Sequence, residues 1–165
     1  MTQEALNQQT SNNTQSTHST QYSTFYVADQ IYGIEVTQVQ EIVKPMPLTK
    51  IPLVPDCIKG LINLRGQVTT AIGMRELLGI ESVSDNSNNL EYMNVVCQYE
   101  DNLVSLLVDE IGDVFSVEAS DFEQTPQTIP NSIKRFMVGV YKIQNSSLLS
   151  IIDLQKIVNY LNELK

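Results

Sequence analysis

The chain has 165 residues, 42% of them hydrophobic, and a formal net charge of −9 at pH 7. That length suits one compact unit or two small subdomains sharing a core, and no apolar run approaches the roughly 18 residues that span a bilayer. The acidic excess speaks against a nucleic-acid or anionic-membrane footprint, and no cationic flank precedes an apolar block at the amino terminus, so direct membrane insertion is excluded and the cytoplasm is expected.

Residues Met1–Gln21 are almost entirely Gln, Asn, Ser and Thr, too polar to offset the entropy of ordering, and are predicted to form a disordered tail. Its His18, the only histidine, has no ligating neighbours and reads as incidental. From Tyr22 the pattern changes to short β-rich runs separated by turn chemistry. Predicted strands are Ser23–Ala28, Ile31–Val36, Gln38–Val43, Gly60–Leu64 and Gln67–Ile72, then, after the polar stretch Glu81–Glu91, Tyr92–Tyr99, Leu103–Ile111, Val114–Val117, Met137–Ile143 and Leu148–Ile152. Roughly ten strands at this spacing suggest small closed or half-closed barrels, one over 22–80 and one over 91–152, within a unit spanning 22–165.

Helical signals are few. Pro55–Ile58 and Met74–Leu78 read as single turns, the latter closed by Gly79, and Ser120–Glu123 as a turn capped by its serine. Only Asp153–Leu164 reads as a substantial helix, capped by Asp153 with Leu154, Ile157, Val158, Leu161 and Leu164 on one face. Cys57 and Cys97 are in no metal or redox spacing and read as buried, reduced thiols.

Catalysis lacks its parts. With one histidine in the tail there is no Ser-His or Cys-His pair, and no P-loop, GxGxxG or clustered metal ligands are present. No cofactor and no metal is expected. Asp109, Glu110 and Asp113 leave one alternative open, a small-ligand or metal-binding barrel, or an enzyme, using these acids. A single-stranded nucleic-acid barrel would need a basic groove with stacked aromatics, and the later half of the chain is acidic.

Two stretches carry the strongest signal. In Gly60–Gly79, two apolar runs flank Arg65-Gly66-Gln67, so Gly66 reads as a hairpin bend that presents Arg65 at its rim. Upstream lies Tyr32–Ile42. Together, Tyr32-Gly33-Ile34, Val39-Gln40-Glu41-Ile42, Ile58-Lys59-Gly60, Asn63-Leu64-Arg65-Gly66 and Val108-Asp109 followed by Asp113-Val114 resemble the CheW family of chemotaxis coupling proteins, over about Phe25 to Leu161. The resemblance implies a mainly β fold of two packed five-stranded SH3-like barrels with a few short helices and a C-terminal helix. It also implies a non-enzymatic adaptor, cytoplasmic and recruited to membrane-associated chemoreceptor arrays. Such an adaptor joins the cytoplasmic tip of methyl-accepting chemoreceptors to the regulatory domain of a CheA-type histidine kinase. A paralogous adaptor of a type IV pilus or other chemosensory-like pathway, and self-association in arrays, stay open.

By the same resemblance, receptor contact falls on Val36, Val39, Glu41 and Arg65, and on Met93, Ser105, Ile111 and Val114. Periodicity alone allows Val36, Val39, Ile111 and Val114 to be core instead. Arg65 has little packing role at a hairpin rim. A kinase contact is expected on the proline-rich stretch Lys44–Pro52 through Met46 and Leu48, unless these fold inward, and at Gly60, whose role is either strand geometry or close approach of a backbone. Gly73 stands where family members commonly carry Asp, which removes an expected partner of Arg75. Lys44, Lys50, Lys59, Arg65 and Arg75 cluster centrally, whereas no Lys or Arg lies between Glu76 and Ile133, so the chain is electrostatically polarised.

Overall fold

The protein is described by a computed structural model over residues 18–80 and 92–164. The expected polar linker Glu81–Glu91 and most of the expected tail therefore lie outside the described residues. The strands are β1 (Ser19–Val27), β2 (Gln30–Glu35), β3 (Val39–Val43), β4 (Ile58–Leu64), β5 (Gln67–Gly73), β6 (Met93–Tyr99), β7 (Asn102–Val108), β8 (Glu110–Glu118), β9 (Phe122–Glu123), β10 (Met137–Lys142) and β11 (Leu148–Ile152). The helices are α1 (Met74–Leu77), α2 (Asn131–Lys134) and α3 (Leu154–Glu163).

Two sheets form. One has six strands in the order β8-β1-β2-β11-β10-β9, and the other five in the order β3-β6-β7-β5-β4. The strands do not divide at 81–91 as expected. β1 and β2 leave the first half of the chain to pair with β8 and β11 of the second, whereas β3, β4 and β5 pair with β6 and β7.

Both sheets curl. In the six-stranded sheet, the edge strands β8 and β9 are joined by the three residues Ala119–Asp121. Four Cα steps reach about 14 Å, yet the edges of a flat six-stranded sheet stand about 24 Å apart. The five-stranded sheet is drawn together differently. The chain leaving edge strand β3 returns at Thr49 to exchange backbone hydrogen bonds with Leu61 of the other edge strand, at 2.9 and 2.8 Å.

Curling gives each sheet an inner and an outer face. Tyr22, Ile31, Val117, Tyr141, Leu149 and Ile151 fill the inside of the six-stranded sheet. Ile62, Ala71 and Leu107, with half-buried Met46, Leu48 and Tyr92, fill the inside of the other. Between the sheets lies the largest cluster, which joins Phe25, Tyr32 and Ile34 to Ile72, Val95, Cys97, Leu106, Ile152 and Ile157. α3 docks here through Leu154, Ile157 and Val158, and the Asp153 carboxylate accepts the Lys156 backbone N–H as the sequence predicts. Cys57 and Cys97 are free and buried, and burial pushes the Cys97 thiol up to about 12.

Several boundaries differ from expectation. β1 begins at Ser19, inside the expected tail, because its first residues pair with Glu118, Val117 and Ser116 of β8. The predicted strand Leu103–Ile111 breaks at Asp109, which is spent on side-chain bonds described below. Pro55–Ile58 is a turn leading into β4, with the Ile58 N–H on the Pro55 carbonyl, rather than a helix. The Ser120 turn is 3-10 and lacks a side-chain cap. β9 and α2 have no clear sequence signal, being two and four residues long.

Gly60 sits at φ +147, and a Cβ on it would lie 2.5 Å from the Thr49 carbonyl oxygen. Gly60→Ala is therefore expected to lose about 3 kcal/mol, since it must displace a backbone bridge. A chemical-denaturation midpoint within experimental error of the wild type would refute that role. Thr69 is 1% exposed and its Oγ1 has no hydrogen-bond partner among the described residues. Thr69→Val is expected to raise stability by about 1 kcal/mol, because it removes an unpaired buried hydroxyl at nearly constant shape. A lowered midpoint would show that the hydroxyl is satisfied.

Candidate partner-binding surfaces

The β4–β5 hairpin pairs Leu64 with Gln67, so Arg65 and Gly66 are its two turn residues, at φ +51 and +86. Two positive φ values define a type I′ turn, whose first position favours Asn, Asp or Gly. An arginine there is held against its conformational preference. The Asn63 carboxamide steadies the turn by accepting the Gly66 N–H at 2.9 Å. The Arg65 side chain is 78% exposed, and its Nη2 donates to Glu41 Oε2 at 3.0 Å. Glu41 belongs to β3, at the opposite edge of the sheet, so the pair spans the curled sheet's two edges. Exposed ion pairs contribute little, typically below about 1 kcal/mol. The remaining guanidinium donors point outward, where a partner carboxylate could accept them.

The apolar residues of the expected receptor site lie on the margin of the central core. Val114 is paired with Ser23, which is paired with Ile34, so the three share a face. Ile34 is fully buried on that face, and Ile111, opposite Phe25, is half-buried against the same cluster. Coverage ends along this row: Val114 is 58% exposed, and Val36, two residues beyond Ile34, is 36% exposed. Val39 and Met93 are half-buried against the central cluster. Met93 and Ile111 line a groove of about 580 Å³ with Lys44, Pro45, Tyr92, Asp109 and Glu110. Val39, Met93 and Ile111 thus pack on the central cluster, whereas Val36 and Val114 stand where its cover ends.

Ser105 is not among them. It is 1% exposed inside the curled five-stranded sheet, and its hydroxyl donates to Asn94 Oδ1 at 3.0 Å. Asn94 in turn donates to the Lys44 carbonyl at 3.1 Å, so Ser105 supports the start of the β3–β4 loop. Met46 and Leu48 also correct an expectation, because both turn inward onto Ile62, Ala71 and Leu107. The buried Gly60 is likewise spent on the approach of Thr49. Met46 and Leu48, half-buried, and Gly60 thus help to position the loop.

The acids are not assembled for chemistry. Asp109 receives Arg75 Nε at 2.9 Å and Arg75 Nη2 at 2.7 Å, and its Oδ2 also accepts the Ala28 backbone N–H at 2.6 Å. The hydrogen bonds to Asp109 raise the Arg75 guanidinium above its ordinary value. Asp109 thus ties α1 to the β1–β2 and β7–β8 turns, and it supplies the partner that the glycine at position 73 withholds from Arg75. The space beside Gly73 is taken by the Lys59–Glu76 ion pair. Glu110 and Asp113 are exposed on β8, and no group of three or more His, Cys, Asp or Glu among the described residues could hold a metal ion. The Val108-Asp109 motif pointed to this carboxylate, but nothing in its spacing named Arg75 as the partner.

The sequence pattern of the family described as CheW-like domain matches residues 21–162. The chain is 33% identical over 135 residues to the chemotaxis protein CheW of Bacillus subtilis, covering 82% of this chain and 84% of that one. To the chemotaxis protein CheW of Treponema pallidum it is 29% identical over 139 residues, covering 83% and 81%. The crystal structure of the scaffolding protein TtCheW from Thermoanaerobacter tengcongensis superposes with a TM-score of 0.69 at 27% identity, covering 81% of this chain and 88% of that one. With two curled sheets on one core, an arginine-tipped hairpin and a family match over most of its length, the chain belongs to the CheW-like family of non-enzymatic chemotaxis scaffolds.

Proposed function

We propose that this chain couples a chemoreceptor to a CheA-type histidine kinase by binding both. The observation that carries the receptor half is the uncovered end of the central core face, where Val36 and Val114 stand in solvent beside half-buried Val39, Ile111 and Met93. An apolar margin of this kind suits a helix laid lengthwise, with valines as desolvated anchors. Arg65 and Glu41 supply charge for setting register. Ser105 has no part in this surface.

The kinase half rests on the β3–β4 loop, which is fixed by the Thr49–Leu61 bridge and by Asn94. Holding both partners makes the kinase's encounter with the receptor effectively intramolecular, and a shift in one can bias the other. No helix among the described residues is long and apolar enough to cross a membrane. In this reading the protein reaches the receptor array through its receptor contact.

Val114 is already largely exposed, so Val114→Lys is expected to leave the thermal midpoint unchanged. It should weaken calorimetric binding of a receptor-tip fragment more than tenfold, because it puts a charge where an anchor desolvates. Unaltered affinity would remove Val114 from the site. Arg65→Glu is expected to abolish receptor binding while sparing kinase binding. The exchange Arg65→Glu with Glu41→Arg rebuilds the internal ion pair in reverse. Recovery of receptor binding in the exchanged protein would show that the pair itself, and not an arginine facing the partner, is what matters.

A further inference from the structure

The β3–β4 loop carries four prolines, Pro45, Pro47, Pro52 and Pro55; it turns Met46 and Leu48 inward, and Ile51 and Val54 are half-buried. Leu53 does the opposite. It stands fully in solvent, at 104% of reference exposure, with its backbone at φ +61. Among the described residues six non-glycine residues have positive φ, and Leu53 is the only large apolar one. Proline at the second position of a turn and positive φ at the third is the type II pattern, whose third position ordinarily takes Gly or Asn. Leucine here is disfavoured twice, once by conformation and once by exposure. Among the described residues nothing covers Leu53 to repay either cost, which points to a contact made outside the fold.

We propose that Leu53 is the anchor through which this loop docks, entering an apolar pocket rimmed by carboxylates on the regulatory domain of the histidine kinase. The inference rests on the coupling reading above and moves its kinase contact from Met46 and Leu48 to Leu53. The rim follows from charge: the loop, residues 44–57, carries exposed Lys44 and Lys50 against a single exposed acid, Asp56. The prolines hold the loop in one shape before binding, so little ordering remains to be done. Location also fits a two-partner adaptor. Leu53 lies in the loop that enters β4 and Arg65 in the turn that leaves it, so the two anchors belong to different loops at the two ends of one seven-residue strand. A lipid surface is the poorer match, because one leucine and two lysines stand on a chain of net charge −9.

The test compares wild type, Leu53→Asn and Arg65→Glu by calorimetric titration with the kinase regulatory domain, beside thermal midpoints and flotation with anionic phosphatidylserine vesicles. Asparagine tolerates positive φ, so Leu53→Asn is expected to melt at or above the wild-type temperature. It should bind the kinase domain more than tenfold more weakly and keep full affinity for a receptor-tip fragment. Arg65→Glu should bind the kinase domain like wild type. If wild type and Leu53→Asn bind the kinase domain equally, the Leu53 assignment is wrong and the coupling reading stands. If wild type itself does not bind that domain, the coupling reading fails and takes this partner with it. A lowered midpoint in Leu53→Asn would show an internal packing role, and Leu53-dependent flotation would assign the leucine to a lipid surface; either overturns the proposal.

Discussion

Each sheet of this protein buries its outer face against the other and must also hide an inner face of its own. Curling solves the second problem, and it can do so only if the two edges of each sheet are brought together. Ala119–Asp121 do this for the six-stranded sheet, and the Thr49–Leu61 bridge does it for the five-stranded one. Much of the remaining architecture follows from that closure. Gly60 lacks a side chain because the returning loop passes over it, and Met46 and Leu48 face inward because that loop is a wall of the curled sheet.

The exchange of strands across the middle of the chain has a further consequence. β1 and β2 complete a sheet whose other members are β8 to β11, so neither half of the sequence contains a whole sheet. Asp109 secures the crossing, with one carboxylate holding Arg75, beside β5, and the backbone of the β1–β2 turn. A part-buried, bidentate arginine pair with a third hydrogen bond is geometrically demanding. The same carboxylate thereby ties the two sheets to one another.

Among the six described non-glycine residues at positive φ, Arg65 and Leu53 depart furthest from what such turns favour, with a charged and an apolar side chain that both stand in solvent. Along the strands and at the C-terminal helix local preference and global fold agree: alternation matches the faces, and Asp153 caps the helix that its sequence announces. Of the two, Arg65 was visible in the sequence, because its glycine neighbour marked a hairpin tip. Leu53 was not, since positive φ in a leucine cannot be read from a proline-rich stretch.

Composition and periodicity were sufficient to determine a mainly β chain without catalytic machinery, nearly every strand, the C-terminal helix and the arginine-tipped hairpin. These are local properties, written in alternation, turn residues and caps within a few residues of one another. Tertiary structure decided which strands pair, because alternation says which side of a strand is apolar and nothing about its neighbour. It also decided which apolar residues stay covered. Val114 and Ile34 share a face and a chemistry, yet one is buried and the other exposed, according to where the second sheet ends. Ser105 was lost to the interior for the same reason. Burial is set by what the rest of the chain lays over a residue, and a one-dimensional pattern carries no record of that.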